Sequence, residues 1–585
     1  MEVIKGIPVS PGVVIGRAFI LDYADERVPY RTVPAKDIDR ELRRFKDAIE
    51  GATSDLAVLR DRTARELGHE PAKIFEFHLG LLHDETLINP IRDRIREGKV
   101  TAEYAVAEAF RKLAEQFRGM GSEVFRLKAN DVLDLDRRVL GQLLGQSETR
   151  LHDLSEPVIV VAHELTPTQA ASVDRRHVLA FATDAGGRTS HTSIVARAMD
   201  IPAVVGCQHV SEDLNEGDTL IVDGDRGVVI LRPDEETLKQ YETYRAEMAT
   251  FRTGLREFAK LEAVTTDGTR VLLMGNIEFP DEIEGLLANG ADGVGLYRTE
   301  FLYLTSLEEP GEEVQFETYR RCAELLRGKP ITIRTLDLGA DKYTQEQQEE
   351  PERNPFLGCR GIRYCLQNLP MFKRQLRAIL RASAFGSIKI MFPLITTTME
   401  LRQAKLVLND VMEELEEEGI DFDRSVPVGM MVEVPSAALM AKVFAREVGF
   451  MSIGTNDLIQ YTLAVDRGNE RVANLYSAAN PALLQLVKQT IRAGKHYRVD
   501  TSICGEIAGE PTYTMLLIGF GLRTLSLVPS QIPQVKRIVR SVDIGQCERL
   551  ARKVGSFDSE RQVLHYLREQ TRRVLPEAFG GWAAD

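Results

Sequence analysis

Between Leu261 and the C-terminal tail, eight short apolar runs recur, separated by stretches with helical periodicity. This alternation restricts the architecture more than any other feature of the chain. The runs are Val271–Ile277, Gly293–Tyr297, Ile331–Leu336, Ile388–Pro393, Val428–Val434, Phe450–Ile453, Thr501–Cys504 and Thr524–Val528. A strand followed by a helix, repeated, sets the strands parallel and lays the helices on the sheet. About eight such units over roughly 300 residues predict a (β/α)8 barrel, and a doubly wound open sheet is the alternative that satisfies the pattern. A barrel gathers its reactive side chains at the C-terminal ends of the strands, and this sequence places them there. After successive runs come Arg298, then Arg334 and Lys342, Arg360 and Arg363, Glu433, Asn456 and Asp457, Arg467, and finally Cys504 and Glu506. One arginine alone is a surface charge, one carboxylate a cap, and one cysteine a small core residue. The joint placement carries the reading.

The chain has 585 residues, 43% hydrophobic and 28% charged, which is too long for a single core and predicts two to four domains. Its formal net charge of −14 argues against nucleic acid or an anionic membrane as a general partner and permits a basic protein partner. An anionic substrate would then need local positive charge, which the strand-end arginines supply. The six cysteines are scattered without metal-binding spacing, as suits a reducing cytoplasm. The segment Met1–Pro8 lacks a signal-peptide layout, and no apolar run approaches the about 20 residues that span a bilayer.

Residues from Val3 to Leu21 predict short strands broken at Ser10-Pro11-Gly12, with Val13–Ile15 and Ala18–Leu21 as separate runs. From Pro34 to Leu144 the apolar spacing switches to three and four, which predicts a helical block of about four helices. Within it, Ile74–Glu85 is more apolar than one buried face requires, so it reads as a central core helix or as a docking face. Short strands return at Val158–Val161, Val178–Ala182, Ala203–Val205, Thr219–Val222 and Val228–Leu231, predicting a compact α/β domain. A polar, Gly-poor helix from Asp234 to Leu261 then reads as a connector.

Inside the α/β segment, Gly186-Gly187-Arg188-Thr189-Ser190-His191-Thr192-Ser193-Ile194 places a histidine where a glycine turn opens a helix. Free N–H groups and the helix dipole favour an anion there, and a neutral imidazole can carry a phosphoryl group. Thr189, Ser190, Thr192 and Ser193 offer hydroxyls to such a group. His78 and His83 are rival acceptors, but neither follows a glycine turn.

That nine-residue stretch resembles the phosphohistidine signature of the PEP-utilising enzymes, a family that includes Enzyme I of the sugar phosphotransferase system, PEP synthase and pyruvate phosphate dikinase. The segments around Arg298, Arg334, Glu433, Asn456-Asp457, Arg467 and Cys504 are similar to the PEP-binding motifs of Enzyme I, and the resemblance covers essentially the whole chain in the same order. It implies a multidomain α/β protein. Residues 1–30 and 146–232 would form the phosphohistidine domain, 31–145 a helical subdomain docking HPr, 233–261 a linker helix and 262–585 a PEP-binding barrel. The implied activity is transfer of phosphate from PEP to His191 and then to a histidine of HPr, with release of pyruvate. Arg298, Arg334, Arg360, Arg467, Asn456 and Asp457 would bind PEP, Glu433 and Asp457 would hold Mg²⁺, and Cys504 would protonate the enolpyruvate. PEP carries two anionic groups that guanidinium forks match, Mg²⁺ favours hard carboxylates, and a thiol can supply a proton to carbon. Glu76, His78, Leu79, Leu82 and Glu85 become the docking candidates, and a cytoplasmic homodimer through the barrel is implied. Pro167 and Thr168, in Leu165-Thr166-Pro167-Thr168, occupy a loop that the resemblance implies lies near the active histidine. A PEP synthase or dikinase, and a regulatory protein that senses PEP without transferring phosphate, are the rival readings. Two departures stand out: Cys359-Arg360-Gly361 where the family has Trp-Arg-Ala, and Ser526-Leu527-Val528-Pro529-Ser530 at the last strand.

Overall fold

The computed structural model describes the chain except residues 22–29, 67–74, 76–77, 120–122, 145–153, 155, 166–168, 170–172, 174–175, 188–190, 200, 305–308, 339–353, 468–471, 473–474 and 577–585. For some residues inside helices, His191 among them, the backbone alone is described. The chain separates into two compact units, Met1–Glu247 and Met248–Asp585.

The first unit contains an eight-stranded mixed sheet in the order β1-β8-β7-β3-β4-β5-β6-β2. Its strands are β1 (Glu2–Lys5), β2 (Ile7–Ser10), β3 (Val13–Leu21), β4 (Val158–Ala162), β5 (Val178–Thr183), β6 (Ala203–Val205), β7 (Thr219–Asp223) and β8 (Val228–Leu231). The central strands β4 and β5 are nearly continuous runs of small and branched apolar residues, buried on both faces. The two runs expected within Val13–Leu21 form one strand of nine residues. Gly16 does not break it, because a side chain there would press on Ile159 of the neighbouring strand, at 3.1 Å.

Strands β3 and β4 run parallel, Ala18 opposite Ile159 and Leu21 opposite Ala162. The helical block lies between them in sequence. It holds α1 (Ile38–Glu66), α2 (Glu85–Gly98), α3 (Ala102–Gly119) and α4 (Glu123–Leu144), with a further helical stretch at 78–83. Phe45, Leu56, Phe75, Leu82, Ile91 and Phe110 form its core. Arg44 of α1 pairs with Glu41 and reaches Glu103 of α3, joining two helices through one guanidinium. Asp84 caps α2 by accepting from the Thr86 N–H at 2.8 Å. His78 and Leu82 are 0% and 1% exposed, so the expectation that they contact a partner is corrected: both face the core. His78 stacks edge-to-face on Phe75 at 6.0 Å. Of the other docking candidates, Leu79 is half-buried, Glu85 is exposed, and Glu76 lies outside the described residues.

A short helix, α5 (His191–Ala198), lies between β5 and β6, and a single helix, α6 (Glu235–Ala259), follows β8. Its first half is held by Asp223: the Tyr241 hydroxyl lies 3.5 Å from that carboxylate, and Arg226 stacks on Tyr244 at 4.7 Å. Near its end, Lys536 donates to the carbonyls of Ala259 and Gly290 at 3.0 and 2.9 Å.

The second unit is a closed barrel of eight parallel strands in sequence order. These are β9 (Leu272–Ile277), β10 (Val294–Arg298), β11 (Ile331–Arg334), β12 (Ile388–Phe392), β13 (Val428–Val432), β14 (Phe450–Ile453), β15 (Asp500–Ile503) and β16 (Thr524–Leu527). Every expected run became a strand. Strands β11 and β13 stop two residues early, at Arg334 and Val432, because the following residues leave the ladder to form the rim. The open sheet is excluded by the pairing of β16 with β9. Leu296, Met391, Met431, Phe450 and Cys504, from five strands or their ends, pack in the lumen. The larger core lies between strands and surrounding helices.

Candidate active site

The strand-end residues of the barrel converge on a buried cluster of charge. Arg334 ends β11, and its guanidinium meets Glu300 at 2.9 Å and Asp337 at 3.1 Å. Arg360 sits two residues before a short helix and donates to both oxygens of Asp337, at 3.0 and 2.9 Å, with Asp457 at 3.5 Å. Glu433, one residue beyond β13, accepts from the Leu394 N–H at 2.5 Å. Asp457 lies in the first turn of a helix, Thr455–Leu463, that opens straight from β14 through Gly454. A side chain at Gly454 would come within 3.0 Å of Glu433, so glycine lets the two carboxylate-bearing loops meet.

Glu300, Arg334, Asp337, Arg360, Glu433 and Asp457 are all under 9% exposed. Burial works against the charge of Arg334, but Glu300 and Asp337, helped by Glu433 and Asp457, outweigh it and raise its pKa. Arg360 is held protonated in the same way, chiefly by Asp337 and Asp457. Four carboxylates thus face two guanidiniums. The excess falls on Glu433, whose carboxyl is pushed up to about 8 by burial and by Asp337 and Asp457.

Asp337, Glu433 and Asp457 each offer an oxygen, all within 4.8 Å of one another. The Oδ1 atom of Asp457 is buried and has no hydrogen-bond partner. Three hard oxygen donors, surplus negative charge and an unused carboxylate oxygen fit a divalent cation such as Mg²⁺. Glu433 and Asp457 were expected in that role. Asp337 was missed, although it lies three residues after Arg334 in Arg334-Thr335-Leu336-Asp337. Glu300 was missed too, and the only signal was its place beside Arg298 in Arg298-Thr299-Glu300.

The remaining expected residues ring this cluster. Arg298 ends β10, more than a third exposed, and pairs with Glu278 at 2.8 Å. Asn456 is bound through its side chain to Glu506, with contacts of 3.0 and 3.3 Å, and its carbonyl accepts from the Tyr476 hydroxyl at 3.0 Å. Arg467 stands at the rim, where it interacts with Tyr476 and its own N–H donates to Gln460. Arg363 turns outward to Glu400 at 3.5 Å, and Lys342 lies outside the described residues. Tyr461 braces Arg360: its hydroxyl donates to the Phe356 carbonyl and lies 3.4 Å from the guanidinium.

Cys504 follows β15 and is 4% exposed, with its sulfur 3.6 Å from the Ile453 carbonyl. Burial pushes its thiol up to about 11, against partial relief from a Ser452 hydrogen bond and from Arg334. At neutral pH the sulfur therefore keeps its proton. The departure at Cys359-Arg360-Gly361 puts glycine where φ is +58° and where a side chain would approach Asp337 at 3.0 Å. The departure at the last strand places Ser526 in the lumen, donating to Asn276 at 2.6 Å.

In the first unit, α5 (His191–Ala198) begins at the expected histidine, after Gly186 with φ +106°. Thr192 and Ser193 are buried and already engaged: Thr192 accepts from the Leu165 N–H at 3.3 Å, and Ser193 donates to the Gly187 carbonyl at 2.6 Å. The expected role of Ser193 as a donor to a phosphate is corrected, since its proton is committed to the loop carbonyl, whereas Thr192 engages the loop as an acceptor. Arg188, Thr189, Ser190, Pro167 and Thr168 lie outside the described residues.

A parallel barrel with paired arginines, clustered carboxylates and a protonated thiol at its strand ends, in a chain that also carries a histidine at a glycine-opened helix, belongs to the PEP-utilising enzyme family. Residues 252–544 match the family's PEP-binding domain, 5–128 its N-terminal domain and 154–227 its mobile domain. Among curated relatives, the phosphoenolpyruvate-protein phosphotransferase of Priestia megaterium is 42% identical over 97% of this chain and 98% of its own length. That of Bacillus subtilis (strain 168) is 40% identical over 97% of this chain and 100% of its own. A solution structure of an Enzyme I protein is 36% identical, covering 42% of this chain and 99% of that one, with a TM-score of 0.38.

Proposed function

We propose that this chain is a phosphoenolpyruvate–protein phosphotransferase, which loads His191 from PEP, passes the phosphoryl group to a histidine of an HPr-type phosphocarrier, and releases pyruvate. The observation that carries the reading is the buried cluster of Arg334, Arg360, Asp337, Glu433 and Asp457 beside a protonated Cys504. Arg298, Arg334, Arg360 and Arg467 clamp the phosphate and carboxylate of PEP, with Asn456 beside them; guanidinium forks match both groups in bidentate fashion. Asp337, Glu433 and Asp457 would hold Mg²⁺, which when bound stabilises negative charge on the phosphate and enolate oxygens. The imidazole of His191 attacks phosphorus, the bond to the bridging oxygen breaks, and that oxygen keeps the electron pair as an enolate. The enolate then takes the Cys504 proton at carbon, giving pyruvate and a thiolate.

In this reading residues 1–30 and 146–232 are the phosphohistidine domain, 31–145 the docking subdomain, 233–261 the linker and 262–585 the PEP barrel. Leu79 and Glu85 remain as docking residues, and the working form is a cytoplasmic homodimer. No described helix is long and apolar enough to cross a membrane. The test is incubation with labelled PEP and Mg²⁺. The expected product is an acid-labile phosphoenzyme, absent in His191→Ala, that discharges to added HPr. Label retained by His191→Ala refutes the assignment.

A further inference from the structure

The thinnest seam of the barrel lies between β15 and β16. Strand β15 pairs with β14 from Phe450 opposite Asp500 to Ile453 opposite Ile503, but with β16 only at Ile503 opposite Leu525. Cys504 is the next residue. Its N–H donates to the Ile453 carbonyl at 3.0 Å, which ties it to β14. Its carbonyl accepts from a side chain two strands away: the Asn276 carboxamide, on β9, donates to it at 3.0 Å. The amide nitrogen also lies 3.4 Å from the Ser526 carbonyl, and the Ser526 hydroxyl donates to Asn276 Oδ1 at 2.6 Å. Two carbonyls at one end and a hydroxyl at the other leave the carboxamide a single orientation, because its oxygen turned toward Cys504 would face another oxygen. Ser526 is fully buried, and a side chain at Gly295 on β10 would clash with its hydroxyl, so glycine there admits the serine. On the other side, a side chain at Gly505 would clash with the Thr455 hydroxyl, so the Cys504–Gly505 peptide has no room to move that way.

We infer that Asn276, oriented by Ser526, is a positioning residue for Cys504: it fixes the Cys504–Gly505 peptide just past the point where the ladder to β16 ends, and with it the direction from which the thiol meets the enolate. The inference rests on the proposed function, in which Cys504 protonates carbon. That step needs the sulfur over one face of a planar enolate, at a set distance and angle. A cysteine sulfur turns about one bond only, Cα–Cβ, so its position follows from the backbone that carries it. Asn276 neither gains nor loses a proton; it acts through the peptide. Without it the thiol would still give up its proton, but from a shifting position. Part of the enolate would then escape and take its proton from water on either face.

The test compares Asn276→Ala, Ser526→Ala and Cys504→Ala in the full chain, supplied with PEP, Mg²⁺ and HPr. Two quantities are read: the rate of pyruvate formation and the face of protonation. For the second, the substrate is (Z)-3-methyl-PEP in D₂O. Carbon 3 of the 2-oxobutyrate formed becomes a stereocentre, and immediate enzymatic reduction preserves it for NMR. Melting by circular dichroism checks folding. The wild type is expected to deliver deuterium to one face. Asn276→Ala is expected to lower kcat about tenfold, to leave the KM for PEP within about twofold, and to label both faces. Ser526→Ala, which frees the carboxamide to turn, is expected to lower kcat about threefold with a smaller loss of facial selectivity. A purely structural role would lower the melting temperature or raise KM and leave the face of protonation unchanged, and that result overturns the inference. So does wild-type behaviour of both variants beside an impaired Cys504→Ala, which leaves the proposed function standing. If Asn276→Ala does not fold, Ser526→Ala decides by the same readouts. If Cys504→Ala matches the wild type, the acid assignment fails and takes the inference with it.

Discussion

Asp136, on α4, sits where its carboxylate is poorly reached by water. Burial raises its pKa to about 6, and Arg111 and Arg137 relieve this only in part. The folded state therefore prefers the neutral acid. That preference stabilises the fold fully below pH about 4 and is lost as pH rises through about 6. At pH 7 the ionised group costs about 1–3 kcal/mol, so Asp136→Asn is expected to raise stability by that amount at pH 7 and by little at pH 4. Urea unfolding at the two pH values checks it, and an equal gain at both would contradict the cause given. Residues of the barrel site were legible to different degrees for a physical reason. Arg334, Glu433 and Asp457 stand at or just beyond strand ends, and an all-parallel barrel brings strand ends together whatever lies between them; Arg360 lies in the long connection after β11 and was legible from its motif alone. Asp337 and Glu300 lie equally close behind β11 and β10, but each follows an arginine by two or three residues and so reads as an ordinary ion-pair partner. His78 and Leu82 failed for the opposite reason: an all-apolar helix signals burial, and a core and a partner bury it equally well.

At the level of elements, the eight barrel strands were readable because a run buried on both faces has no polar alternation to confuse it. Their ends were less so, since hydrophobicity continues into the rim after the ladder stops, as it does past Arg334 and Val432. The turn before the helix Ile362–Gln367 shows what the residue pattern alone hides. Gly361 holds φ at +58° and leaves room for the Asp337 carboxylate that clamps Arg360. Gly361→Ala is expected to add about 1–2 kcal/mol of strain and to displace Asp337. Its signature would be a KM for PEP raised about tenfold with a smaller change in kcat, measured by coupled pyruvate assay. A variant with unchanged KM would show that the turn relaxes without moving the clamp.

Each of the two compact units has its own buried core, one set around the sheet and helical block and one around the barrel. Calorimetry of the intact chain is therefore expected to show two transitions. Asp136→Asn should move only the transition of the first unit. PEP with Mg²⁺, added to His191→Ala so that it is held and not consumed, should move only that of the barrel. The gain would be about 2.7 kcal/mol at a hundredfold excess over Kd. A single transition shifted by both would show that the units melt as one.

The parallel pairing of β3 with β4 carries a consequence for how such a chain can change. Two adjacent parallel strands need only a dozen or so residues to carry the chain from the top of one to the foot of the next. Here a whole helical bundle occupies that passage. Its departure and return points are fixed by the sheet and not by the bundle. The bundle can be traded for another of different shape, and the sheet and the barrel that follow keep their wiring.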